Sequence, residues 1–206
     1  MLPTDATLRL SSGGCNGEQR NDDSLYCPRF VRPNPAGALM GLGGGSQTIA
    51  PGAYDYLQTG DGAVIELERG GSYFFNRVQL GRNNTVNLIG TGEVVIYTHH
   101  FEVGDNSSVN MPTPGSAPIP KDLQICMTPQ PDCEVTECKL SINTQGAFVV
   151  AGTNVELNLM NNAQLFGAAI VHRVNLYNGS AVHFDEALLG KPMAGQPQWA
   201  LVAQGR

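Results

Sequence analysis

His183 and Asp185 lie two residues apart in AVHFDEAL, so on a strand both side chains face one side, and an imidazole oriented by a carboxylate is how a general base begins. A complete site also needs a nucleophile or a second carboxylate, and the sequence places neither. The pair is therefore read as a structural His–Asp hydrogen bond that closes the last turn of the fold. His99 and His100 follow an apolar strand signal from Val94 to Tyr97 and, with Asp105, offer ligand types for a transition metal. Adjacent histidines on a strand point to opposite faces, which keeps both from binding one ion. Glu66, Glu93, Glu102 and Glu156 are scattered, without the paired carboxylates of a glycosidase. No catalytic residue, metal site or cofactor is assigned, and the chain is read as non-enzymatic.

The five cysteines form two groups, Cys15 and Cys27 near the start and Cys126, Cys133 and Cys138 in a Pro-rich stretch. Neither group has paired CxxC spacing or a neighbouring histidine, which disfavours zinc. Gly, Pro, Asp and Asn around the cysteines suit disulfides in an oxidising compartment; the alternative is five reduced thiols in a cytosolic protein. The expected pairs are Cys15 with Cys27 and, first among three possibilities in the second group, Cys126 with Cys138. Each closes a loop of about a dozen residues and would restrict the unfolded chain by on the order of 3 kcal/mol. The odd count leaves one cysteine unpaired within the chain or bonded to another molecule. The sequons at Asn83, Asn106 and Asn178 are read as by-products of Asn-rich corners rather than glycosylation sites.

What must position these residues is β-structure. The chain has 206 residues, only 15% of them charged, and 25 Gly and 13 Pro, a balance that excludes a helical bundle or coiled coil. Three lysines and a net charge of -6 exclude a nucleic-acid binder, since phosphate neutralisation needs clustered cations. No window approaches the ~18 uninterrupted apolar residues of a membrane-spanning helix. Leu2 to Leu10 is short, broken by Pro3 and Asp5 and without a basic start, so no signal peptide is read there and an exported reading implies a mature or truncated chain.

Residues 1–47, with the GLGGG run, show neither helical nor strand period and are read as irregular. From Thr48 onward short apolar alternations are separated by Gly, Asn and Asp: Val64 and Leu67, Val78 and Leu80, Val86 and Leu88, Val94 and Ile96, Phe101 and Val103, Val109 and Met111. Leu80–Leu88, LGRNNTVNL, recurs 23 residues later as Val103–Met111, VGDNSSVNM, and Gly146–Val150 is echoed 21 residues later by Gly167–Val171. Short strands at a period of about 20–25 residues mean a solenoid, because one coil cannot bury its inward face until the next stacks on it. Asn at matching coil positions tolerates the left-handed backbone of a corner, and stacked Asn side chains can hydrogen-bond along the axis. The predicted fold is all-β, a right-handed parallel β-helix over residues 48–190. A Cys/Pro-rich insertion at about 112–139 leaves one coil, and the tail 191–206 caps the open end with Trp199.

The segments APGAYDY at Ala50, GSYFFNRVQLGRNNTVNLIGTGEVVIY from Gly71, GAFVVAGTNVEL from Gly146 and AQLFGAAIVHRVNLYNGSAVHFDEAL up to Leu188 carry a resemblance, most specific at Phe166, Gly167, His183, Phe184, Asp185 and Leu188. They resemble a β-solenoid domain of unknown function found in PilX-like pilus-assembly proteins and other exported bacterial surface proteins. That resemblance implies export to the cell surface, pilus or periplasm, and partners among pilus or envelope proteins or a surface ligand, met by the 112–139 loop or a solenoid face. The expected function is a non-enzymatic extracellular structural or adhesive module; the alternative is a carbohydrate-active or glycan-binding β-helix protein.

Overall fold

The computed structural model describes residues 39–42, 45–112, 116–128 and 136–188. Cys15, Cys27, Cys133, Trp199 and the tail 191–206 lie outside the described residues. The chain winds from β1 (Leu39–Leu42) through β2 (Ser46–Ile49), β3 (Gly52–Ala53) and β4 (Tyr56–Thr59) into β5 (Val64–Glu68) and β6 (Gly71–Leu80). It continues through β7 (Thr85–Ile89), β8 (Val94–Val103), β9 (Ser108–Val109), β10 (Leu123–Met127) and β11 (Thr136–Leu140). The long strands β12 (Gln145–Leu159) and β13 (Gln164–Leu176) and the short β14 (Ala181–Phe184) complete it.

All pairings among these strands are parallel, and each joins one coil to the next, which makes the fold a β-solenoid of about six turns. Three walls result. The first stacks β2, β5, β7, β9, the start of β12, the start of β13 and β14. The second stacks β3, the first half of β6 and of β8, β10 and the middles of β12 and β13. The third stacks β1, β4, the second halves of β6 and β8, β11 and the ends of β12 and β13.

Alternation along each wall sends one set of side chains inward, where Ile65, Leu67, Tyr73, Phe75, Val78, Leu80, Ile96, Phe101, Phe148, Leu157 and others fill one continuous core. Ile65, not Val64, is the inward residue of β5, paired with Val86 on the next coil; Val64 and Leu67 are an odd number of residues apart and cannot share a strand face. The 23-residue repeat is the stacking register itself: Leu80 pairs with Val103, Thr85 with Ser108 and Val86 with Val109. The downstream echo is not. Phe148, rather than Gly146, stacks on Gly167, an offset of 19 residues between those partners. Gly167 has φ +143°, and a Cβ there would collide with the Phe148 carbonyl oxygen, so the coil above can approach only a glycine.

Asn83, Asn106, Asn143 and Asn162 hold the left-handed conformation at the corner that enters the first wall, with Gly62 and Gly179 in the same place on other coils. Asn143 Nδ2 donates to Asn106 Oδ1 and Asn162 Nδ2 to Asn143 Oδ1, both at 3.2 Å, so the corner carries the stacked amides anticipated from the sequence. Beneath it runs a buried polar spine of Thr59, Asn84, Ser107 and Thr144. Asn84 Oδ1 accepts from Ala63 N–H at 2.6 Å, Asn84 Nδ2 donates to Thr59 Oγ1 at 2.6 Å and to the Gly60 carbonyl at 3.0 Å, and Asn84 N–H donates to Ser107 Oγ at 3.0 Å.

Three expectations change. The solenoid starts ahead of Thr48, because β1 and β2 are held by register with the following coil, Leu39 with Leu57 and Ser46 with Val64, rather than by a local pattern. The stretch 112–139 is not one excursion: Leu123–Met127 is a wall strand between β8 and β12, and Thr136–Leu140 lies in the third wall. Its alternation is hidden because β10 is buried on both sides, with Leu123, Ile125 and Met127 in the main core and Cys126 in a second apolar cluster with Val95, Tyr97 and Ala151. A 3-10 turn at Pro120–Asp122 leads into it, clasped by the Arg69–Asp122 ion pair at 2.7 Å. Third, Cys126 and Cys138 are free, buried thiols. Cys126 pairs with Tyr97 and Cys138 with Phe101, on either side of a corner in β8, so their backbones stand roughly 10 Å apart, beyond the ~7 Å a disulfide spans.

Candidate functional site

The first wall gives His183 its surroundings. On β14 the ring is exposed, stacks on Phe166 of the preceding coil at 4.6 Å between centroids, and donates from Nε2 to Gln164 Oε1 at 2.7 Å. Asp185 follows the strand, its N–H donating to the Gly167 carbonyl at 3.3 Å and its own carbonyl accepting from Leu188 at 3.0 Å. His99 and His100 diverge at the corner of β8. His99 Nδ1 donates to the Thr128 carbonyl at 2.8 Å, whereas His100 Nε2 lies 3.5 Å from Glu102 Oε2. Asp105 is at a different corner, accepting from Ile142 N–H at 3.1 Å. Among the described residues no group of three or more His, Cys, Asp and Glu gathers as a metal site.

A second set of polar groups, apart from the corner, is on the outside of the third wall, and register explains how it arises. One row runs Gln58, Gln79, Glu102, Lys139, Asn158, Asn175, each residue paired with the next across adjacent coils. Beside it Tyr56, Arg77 and His100 pair in succession, as do Glu137, Glu156 and Arg173. Strand spacing sets neighbours in a row about 4.8 Å apart, and residues two apart on one strand bring the rows within about 7 Å of each other.

The rows are cross-linked. Lys139 Nζ donates to Glu102 Oε1 at 3.0 Å, Gln79 Nε2 to Glu102 Oε2 at 3.4 Å, Asn158 Nδ2 to Glu137 Oε1 at 2.8 Å and Asn175 Nδ2 to Asn158 Oδ1 at 2.8 Å. Arg173 pairs with Glu156 at 3.0 Å. Burial pushes the Glu102 carboxyl up, but the Lys139 ammonium and His100 outweigh it and hold the group below the usual carboxylate range. Lys139 is raised chiefly by its hydrogen bond to Glu102. The face is thus an array of donors and acceptors of both signs, from Gln79 to Asn175 held by their neighbours in the rows.

Sequence reasoning had Glu102 and Glu156 as scattered acids and passed over Arg77, Glu137, Lys139 and Arg173. Their convergence depends on a coil of 37 residues between Glu102 and Lys139, far from the period of its neighbours. The signal that could have found them is alternation in TECKL and VELNL, whose polar positions fall opposite one another once the strands are stacked.

Stacked parallel coils with a polar outer wall define the class as a β-solenoid domain. Residues 38–190 match a family model described as a domain of unknown function, DUF7305, and the chain belongs to that family. No curated protein and no solved structure matches it.

Proposed function

We propose that the chain is a non-enzymatic structural or adhesive module, exported to the cell surface and carried on a pilus or envelope protein of the PilX-like kind, with the outer face of the third wall as its contact surface. The observation that carries this reading is the cross-linked polar array from Gln79 to Asn175. Side chains already held by neighbours lose little freedom on binding, so a partner meets a preorganised surface. The stretch 112–139 is the other contact candidate, but a deletion spanning Thr113–Glu137 would remove a buried wall strand. The test is co-sedimentation of the purified chain with isolated bacterial envelopes. Saturable binding supports adhesion, and no binding up to about 100 µM, a range covering weak specific contacts, overturns it.

A second reading, a glycan-binding face, is favoured by one feature: Arg77, His100, Glu102, Glu137 and Lys139 offer mixed donors and acceptors suited to sugar hydroxyls. Binding of the chain to neutral or uronic-acid polysaccharides, without release of reducing ends, supports it. Release of reducing ends would replace the non-enzymatic reading with a carbohydrate-active one.

A further inference from the structure

The corner that enters the first wall is locked on every described coil but the last. The left-handed residues Gly62, Asn83, Asn106, Asn143 and Asn162 each donate their backbone N–H to a carbonyl of the next coil, at 2.8–2.9 Å. Gly179, at φ +75°, is the same position on the last described coil, and its N–H has no acceptor among the described residues. Both Gly179 and the Asn178 before it are exposed.

That freedom matters because of the residue pair. The carboxamide carbon of an asparagine is an electrophile that the backbone nitrogen of the following residue can reach, closing a five-membered ring. The nitrogen must be unencumbered and free of a hydrogen bond, and glycine, without a Cβ, hinders the closure least. Asp61–Gly62 offers the same glycine on an earlier coil, but there the nitrogen is held by the Arg82 carbonyl at 2.8 Å. The Asp61 carboxylate is held too, accepting from Arg82 N–H at 2.8 Å and pairing with its guanidinium at 3.2 Å. The Asn178 side chain is restrained by a single exposed bond, from Nδ2 to Asn161 Oδ1 at 3.1 Å.

We propose that Asn178–Gly179 is a self-modification site, at which the Gly179 nitrogen attacks Asn178 Cγ. The N–Cγ bond forms, the Cγ–Nδ2 bond breaks, and Nδ2 leaves as ammonia with the proton from the Gly179 nitrogen. Water then opens the succinimide at either carbonyl, leaving aspartate or isoaspartate at position 178. The new carboxylate cannot donate to Asn161 Oδ1, so the side-chain bond to the preceding coil is lost and the last turn gains a negative charge.

Peptide mapping by mass spectrometry, with isoaspartate separated from aspartate by chromatography, tests this on the full chain. One sample stays folded in mildly alkaline buffer, checked by circular dichroism, and a parallel sample is unfolded in urea. A locked site reacts only through local opening and is slowed by its cost, whereas an open one is not, so conversion at Asn178 in the folded chain should run within about tenfold of its rate in urea. Isomerisation at Asp61–Gly62 should proceed in urea and be suppressed in the folded chain. An Asn178 that stays intact in the folded chain while it converts in urea overturns the proposal, as does an absence of conversion in both samples. Equal isomerisation of Asp61–Gly62 in the two samples also overturns it, because the corner hydrogen bonds would then give no protection.

Discussion

Replacing Asn84 by alanine removes the side chain that ties its coil to the preceding one at the buried corner. Asn84 is almost wholly buried, and its amide serves three partners: Ala63 N–H, Thr59 Oγ1 and the Gly60 carbonyl. Alanine cannot replace any of these bonds, and the enclosed Ala63 N–H loses its acceptor. A buried group left unpaired costs about 1–3 kcal/mol, and each further lost hydrogen bond about 0.5–1.5 kcal/mol, so the loss sums to roughly 2–6 kcal/mol. Against a typical domain stability of about 5–15 kcal/mol this is a large fraction. Urea denaturation followed by circular dichroism at 215–225 nm measures it as a lowered midpoint at constant slope. Asn84→Asp keeps acceptors for Ala63 but loses the donor to Thr59 and Gly60, and is expected to be at least as damaging because it buries a charge. A cost below about 1 kcal/mol for Asn84→Ala would refute the reasoning, since even one orphaned buried donor exceeds it.

Gly167→Ala combines a strained φ with a collision against the Phe148 carbonyl, so a fall in melting temperature of several degrees or loss of folding is expected, while Gly62→Asn, at an open left-handed corner position, is mild; equal effects would contradict the register. Cys138 is held protonated by burial, with Glu137 adding to the effect, so neither it nor buried Cys126 should react with iodoacetamide in the native protein, whereas both should after unfolding; mass spectrometry reads this directly. For the Glu102–Lys139 pair, the lowered Glu102 value contributes stability above the unfolded value of about 4.3 and loses it as pH falls through the folded value. The raised Lys139 value contributes below about 10.4 and is lost as pH rises through its folded value. The stability difference between wild type and Glu102→Gln should therefore be level from pH 6 to 9 and shrink in acid; growth of the difference below about pH 4 would contradict this sign.

The coil architecture was legible where one repeat length persisted. LGRNNTVNL and VGDNSSVNM carry inward Val, corner Asn and close-packed Gly at matching places, and those matches are the observed register. Legibility failed where the period varied. Gly146 and Gly167 look equivalent in sequence, yet they occupy different coil positions, one beneath the Phe148 ring and one beneath its carbonyl. β10 was unreadable because a strand covered on both sides has no polar alternation. The polar wall was hidden for another reason: Glu102 and Lys139 become neighbours only through a long coil, and no local pattern records which residues will lie opposite.

The most direct test of that wall as the contact surface is the affinity of the chain for isolated envelopes before and after Arg77→Glu with Arg173→Glu, two exposed cations on the same face. The expected result is binding weakened at least tenfold, about 1.4 kcal/mol, in a variant whose circular dichroism remains that of the folded chain. Undiminished affinity in the folded double variant would contradict the assignment and move the contact to another face.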